Sequence, residues 1–163
     1  SPSQRGAGAG LINEAWNNVP CMLNCGIASI ATAIPLPAGV APLSGIDFDL
    51  QPGGALRGVV RNSAGNPLSL VTVFLVDSAG RAVGSGQSDS LGNYSVDGLV
   101  AGTYYARTSN TLGLQDQLFG GAPCATGCDP LLGTSISVQG TNTTNAINFS
   151  LNQLEPLFRN GFE

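Results

Sequence analysis

The chain has 163 residues, of which only 10% are charged; the net charge is −4, glycine occurs 23 times, and neither histidine nor lysine is present. Without those two side chains, Ser/His/Asp and Cys/His nucleophilic schemes, HExxH zinc chemistry and Schiff bases are excluded, so no enzyme activity is expected. Six arginines cannot build the clustered basic surface that nucleic acid or an anionic membrane demands, and no run of 18 apolar residues exists to insert into a bilayer.

The opening Ser1-Pro2-Ser3 lacks the basic and apolar regions of a signal peptide, which implies a chain already processed or cut from something longer. Gly6-Ala7-Gly8-Ala9-Gly10 follows as a flexible lead. From about residue 54 onward, apolar and polar residues alternate with period two, and turn residues interrupt them roughly every ten positions, the pattern of a sandwich. Seven strands are predicted, at residues 56–61, 70–76, 81–87, 93–96, 103–108, 134–138 and 145–151. Val71, Val73 and Leu75 alternate with Thr72, Phe74 and Val76, so both faces of the second strand are apolar and it is expected at the centre of a sheet. Ser63-Ala64-Gly65-Asn66-Pro67 is a turn, as are the two Asp-x-x-Gly segments at Asp77 and Asp89, where the carboxylate accepts from backbone two residues on. The fold class is therefore all-β.

The order Gly58-Val59-Val60, Ala64-Gly65-Asn66-Pro67-Leu68, Val71-Thr72-Val73, Asp89-Ser90-Leu91-Gly92-Asn93-Tyr94 and Leu99-Val100-Ala101-Gly102-Thr103-Tyr104 resembles the carboxypeptidase regulatory-like domain. The resemblance spans about residues 54–151 and implies a transthyretin-like, seven-stranded antiparallel Greek-key sandwich in an accessory, adhesive or spacer role outside the cell, probing towards a bacterial surface. Relatives of this fold in Gram-positive collagen adhesins carry Lys–Asn isopeptide bonds, which a chain without lysine cannot form.

The chain also resembles itself. Residues 11–21 (LINEAWNNVPC) match residues 114–124 (LQDQLFGGAPC) at an offset of 103, with Trp16 opposite Phe119, and both continue into Cys-x-x-x-Cys. Ile46-Asp47-Phe48-Asp49-Leu50 matches Ile147-Asn148-Phe149-Ser150-Leu151 at an offset of 101. In that register Ser1 falls near Tyr104, which divides the chain into the closing half of one sandwich (1–52), a complete sandwich (53–152) and an apolar tail (153–163). Half a sandwich leaves an apolar face and rows of backbone groups uncovered. Three coverings are open: strands of a neighbouring chain, which would build a filament by strand complementation; strands upstream in a longer array; or the chain's own second copy. Leu11, Trp16, Ile46, Phe48 and Leu50 would form this assembly face, and Leu157, Phe158 and Phe162 of the tail either the other half of the joint or an export tag.

Cys21 with Cys25, and Cys124 with Cys128, are expected as two local disulfides in an extracellular protein; a four-thiolate zinc site is the alternative, against which stands the spacing of three rather than two. No cofactor is implied. Asp77, Asp89 and Asp97 lack the dense acidic array of a calcium loop and are assigned to turns, and Glu14, Asp116, Asp129 and Glu155 are not brought into one cleft by any spacing. Trp16, Phe119, Tyr104 and Tyr105 could stack on a sugar, which makes a glycan-binding or adhesive module the second functional reading; the repetition of Trp16 as Phe119 favours a role at the end of the core instead.

Overall fold

The alternating pattern folds into two packed sheets, seen in a computed structural model that describes residues 10–22, 31–36, 38–39 and 42–154. A short hairpin, β1 (Glu14–Ala15) and β2 (Val19–Pro20), lies in the first fifty residues. The strands that follow are β3 (Gly54–Asn62), β4 (Thr72–Asp77), β5 (Ala82–Gln87), β6 (Asn93–Leu99), β7 (Gly102–Ser109), β8 (Ile136–Val138), β9 (Thr143–Thr144) and β10 (Phe149–Leu151). One sheet has the order β10-β3-β6 with β9 also against β3; the other has the order β5-β4-β7-β8.

Every second residue points into the space between them. On β6, Tyr94 and Val96 are buried while Asn93, Ser95 and Asp97 are exposed; on β7, Tyr104, Ala106 and Thr108 are buried. Leu56, Val60, Val73, Leu75, Leu99 and Leu151 are removed from water almost completely. Each such side chain contributes about 1.5–3 kcal/mol relative to exposure. The core carries polar atoms only where they are bonded: Ser88 Oγ accepts from the Val71 N–H at 3.0 Å, and Thr108 Oγ1 accepts from the Gln117 N–H at 2.9 Å.

β4 sits inside its sheet as its two apolar faces require, and the outer face is covered in an unanticipated way: the Arg107 guanidinium lies 5.0 Å from the Phe74 ring centroid. The turns form as the sequence indicates. Asp77 Oδ1 accepts from Ala79 and Arg81 N–H groups, and Asp89 Oδ1 from Leu91 and Asn93, each at 2.9 to 3.0 Å.

Two expectations about strands are corrected. The sandwich is not uniformly antiparallel, because β9 and β10 both run parallel to β3: the chain reaches that edge by crossing from the opposite sheet, not through a hairpin. Residues 145–148 are not strand. They cross β3 at Gly58, where an added Cβ would stand 1.8 Å from the Ile147 carbonyl oxygen, and the crossing is tied down by Ile147 N–H to Arg57 O and Val59 N–H to Asn148 Oδ1. Residues 46–50 are in no strand, and among the described residues none pairs with them as β3 does with β10.

Candidate functional site

The self-similarity read in the sequence extends to backbone hydrogen bonds. Ile12 N–H donates to Gln51 O at 2.8 Å, as Gln115 donates to Asn152 at 2.8 Å; Cys21 N–H donates to Asn13 O at 2.6 Å, as Cys124 donates to Asp116 at 2.7 Å. The bridge of Leu11 with Pro52 has its counterpart in Leu114 with Gln153, and the pairing of Glu14 with Pro20 in that of Gln117 with Pro123. The tight turns match too. Asn17 and Asn18 both have positive φ, and so do Gly120 and Gly121 in the same two places. A turn of this kind needs two left-handed residues, which asparagine and glycine accept most readily.

What differs is the surroundings. In the complete module the Phe149 ring packs 6.3 Å from the Tyr94 centroid and 6.1 Å from that of Phe119, and Phe149 is 4% exposed. Its counterpart Phe48 is 53% exposed, and Leu50 is 38% exposed where Leu151 is fully buried. A further stretch aligns once the structure is in hand: Thr32-Ala33-Ile34-Pro35-Leu36 with Thr134-Ser135-Ile136-Ser137-Val138, ending on the positive-φ pair Gly39 and Gly140. Ile136 and Val138 are buried, whereas Ile34 is exposed and Leu36 is 81% exposed. Positions that are buried at 136, 138, 149 and 151 are therefore exposed at their sequence counterparts 34, 36, 48 and 50.

Ile34 and Phe48 line a pocket of about 370 Å³ together with Ala15, Trp16 and Cys21, with Glu14 and Thr32 also on its wall. Ala15 is buried and Trp16 half-buried, so the inner end of the pocket is built and its outer end is open. Glu14 Oε1 accepts from the Asp49 N–H at 3.0 Å and holds the strand-like stretch over the hairpin. Contacts among the described residues fasten the first copy to the second. Gly10 O accepts from Gly53 N–H, and the Leu11 carbonyl lies 2.6 Å from where a Cβ on Gly98 would stand, so only glycine fits there, at φ +73°. Met22 packs on the module core, and its sulfur accepts from the Tyr104 hydroxyl at 3.8 Å.

Of the assembly residues expected from sequence, Trp16 and Phe48 both line the pocket, Ile46 and Leu50 flank Phe48 along the chain without lining it, and Leu11 lies apart at the junction with its side chain 46% exposed. Leu157, Phe158 and Phe162 lie outside the described residues. Sequence reading missed Ile34 and Leu36; the Thr-x-Ile signal was present, but a one-residue drift in offset hid it. Cys124 and Cys128 form a disulfide with Cα atoms 5.4 Å apart. Cys21 is also disulfide-bonded, and Cys25 lies outside the described residues.

The remaining candidates are occupied structurally. Asp116 accepts from Thr108 Oγ1 and Asn110 Nδ2, and Asp129 caps a single 3₁₀ turn through Leu131 N–H. Glu155 lies outside the described residues. Phe119 and Tyr104 pack inward, so they build no exposed sugar platform with Tyr105. Burial raises the hydroxyl pKa of both Tyr94 and Tyr104, with the Asp77 charge adding to the effect at Tyr104. A second, polar concavity of about 700 Å³ lies over β3 and β6 between Arg57, Asn93, Ser95, Asn145 and Asn148.

Two sheets closed around one core define a β-sandwich. The carboxypeptidase regulatory-like domain model matches residues 55–152, and the chain belongs to that family. No curated protein matches it significantly. Among solved structures it is similar to the minor pilin of the Gram-positive pathogen Streptococcus agalactiae (17% identity, 69% of this chain and 51% of that one, TM-score 0.47). It is similar also to the pilus 2b backbone protein of group B streptococcus (18% identity, 76% and 53%, TM-score 0.40). The TIE protein of Bacillus anthracis is a third (10% identity, 63% and 17%, TM-score 0.45). The chain thus spans between 17% and 53% of the lengths of these structures.

Proposed function

We propose that this chain is a non-enzymatic, extracellular structural protein, a filament subunit in which the open first copy is completed by β-strand from a neighbouring chain. The observation that supports this most is the contrast at one repeat position, Phe149 enclosed and Phe48 half in water, beside an apolar pocket with a built floor. An exposed Phe, Ile and two Leu in one half-module are what a joint leaves uncovered before it closes. Placement outside the cell rests on the disulfide at Cys124 and Cys128 and on the accessory character of the family. The absence of enzyme activity rests on a sequence with neither histidine nor lysine.

Sedimentation of the full chain at low ionic strength tests the reading. High-mass species that grow with concentration are expected, and Phe48→Ser should return the chain to monomer without changing the unfolding of residues 53–152. A wild-type chain that stays monomeric at every concentration, and instead binds a glycan saturably, would replace this reading by the adhesive one.

A further inference from the structure

The complete module records what its closing strand needs. β10 lies parallel to the end of β3, with Phe149 opposite Val60, Ser150 opposite Arg61 and Leu151 opposite Asn62. The first copy has Phe48, Asp49 and Leu50 in place of the β10 residues, and among the described residues no strand stands beside them as β3 stands beside β10. A second intact copy has no β3 to lend, because that strand is already paired on both edges, with β6 on one side and with β9 and β10 on the other.

One other segment of the sequence carries the same pattern. Val59-Val60-Arg61-Asn62 at the end of β3 is matched by Leu157-Phe158-Arg159-Asn160: two apolar residues, then the same arginine and asparagine. The β10 ladder pairs three residues, and the last three of these four supply that number. Placed in the β3 register, Phe158 falls opposite Phe48, Arg159 opposite Asp49 and Asn160 opposite Leu50. The substitution of Ser150 by Asp49 in the first copy then has a physical consequence, because it sets a carboxylate across from a guanidinium. The change from Val60 to Phe158 has one as well. A single entering strand brings no counterpart of Tyr94, and a larger ring is needed to fill the space beside Trp16 and Phe48.

We infer that the tail segment 157–160 of one chain docks parallel to residues 48–50 of the next, standing in for the missing β3 and giving Phe158 the pocket beside Trp16. This rests on the filament reading and specifies its partner: a second copy, through its tail.

Trp16 is the only tryptophan in the chain and lines that pocket, so its emission reports occupancy directly. The probe is a synthetic peptide of residues 155–163 titrated into the full-length Phe158→Ser chain, whose own tail is disabled. A saturable blue shift of Trp16 is expected, at least about tenfold weaker with Phe48→Ser added, in line with the loss of an aromatic anchor. Asp49→Arg should weaken binding several-fold, and a peptide carrying Arg159→Asp should restore it to that variant; this rescue depends on register and not on folding. No shift, or an equal shift with a scrambled peptide, overturns the inference. A shift without rescue overturns the parallel register. If peptide residues 56–62 bind and the tail peptide does not, the partner is a polypeptide carrying a β3-type half. The filament reading fails separately: it falls if the wild-type chain never assembles, whatever the peptide does, and it stands if assembly requires Phe48 but survives Phe158→Ser.

Discussion

Phe48 and Phe149 occupy one position of one repeat and meet opposite fates. Around them the hairpin, the two-residue turn and the hydrogen bonds from residues 12 and 115 are the same in both copies. Local structure is therefore carried by the local sequence, the asparagine or glycine turn and the proline before the cysteine, and it forms with or without the rest of the sandwich. The stretch at residues 46–50 is different. It has the composition of β10 yet no ladder, because a strand is a relation between two segments and its partner is β3.

The largest effect expected from this comparison is a matched pair of substitutions. Phe149→Ala removes a ring enclosed by Tyr94 and Phe119 and should cost about 3–5 kcal/mol in denaturant unfolding. Phe48→Ala at the equivalent site should cost under about 0.5 kcal/mol and act on assembly instead. Equal costs would mean that the first copy is closed in solution. Next, reduction of the bridge between Cys124 and Cys128 should lower stability by about 2 kcal/mol, the low end for a loop this short. The turns sharpen the comparison further. Gly120→Ala puts a Cβ 2.2 Å from Thr134 Oγ1 at φ +102° and should cost about 1–2 kcal/mol, whereas Asn17→Gly should be almost silent.

The smallest effect is in the acid range and belongs to the complete copy alone. Burial at Asp77 opposes its charge, but hydrogen bonds from the Arg81 side chain, from the Arg81 and Ala79 backbone, and the Arg81 charge outweigh it, so the carboxyl pKa is lowered. The group therefore adds stability above its unfolded pKa of about 4, and that stability disappears as pH falls through the lower folded value. Asp77→Asn should make the acid limb of a stability–pH curve shallower and leave its alkaline side unchanged.

Much of this was legible in the chain itself. Seven predicted strands correspond to observed elements, and β4 is central because both its faces are apolar. The Asp-x-x-Gly turns were legible because their mechanism is contained in four residues. The parallel course of β10 was not, since direction depends on how the chain crosses between sheets and not on side-chain period. Residues 145–148 read as strand from their alternation, and only the bare backbone of Gly58 shows why another path is available. Half of the open face was found by self-alignment; Ile34 and Leu36 emerged only when their exposure was set against Ile136 and Val138.

The parallel pairing of β3, the first strand of the module, with the three-residue β10, its last, also determines how it bears tension. A pull on the chain before Gly54 and after Leu151 draws β3 and β10 past one another along their length, so the ladder from Val60 to Asn62 is strained in shear and its bonds resist together. Had these strands been antiparallel neighbours at a hairpin, the same pull would open them one bond at a time. A module loaded end to end in this way yields late and abruptly, and force spectroscopy should record a single rupture for residues 53–152 that moves to lower force in Phe149→Ala.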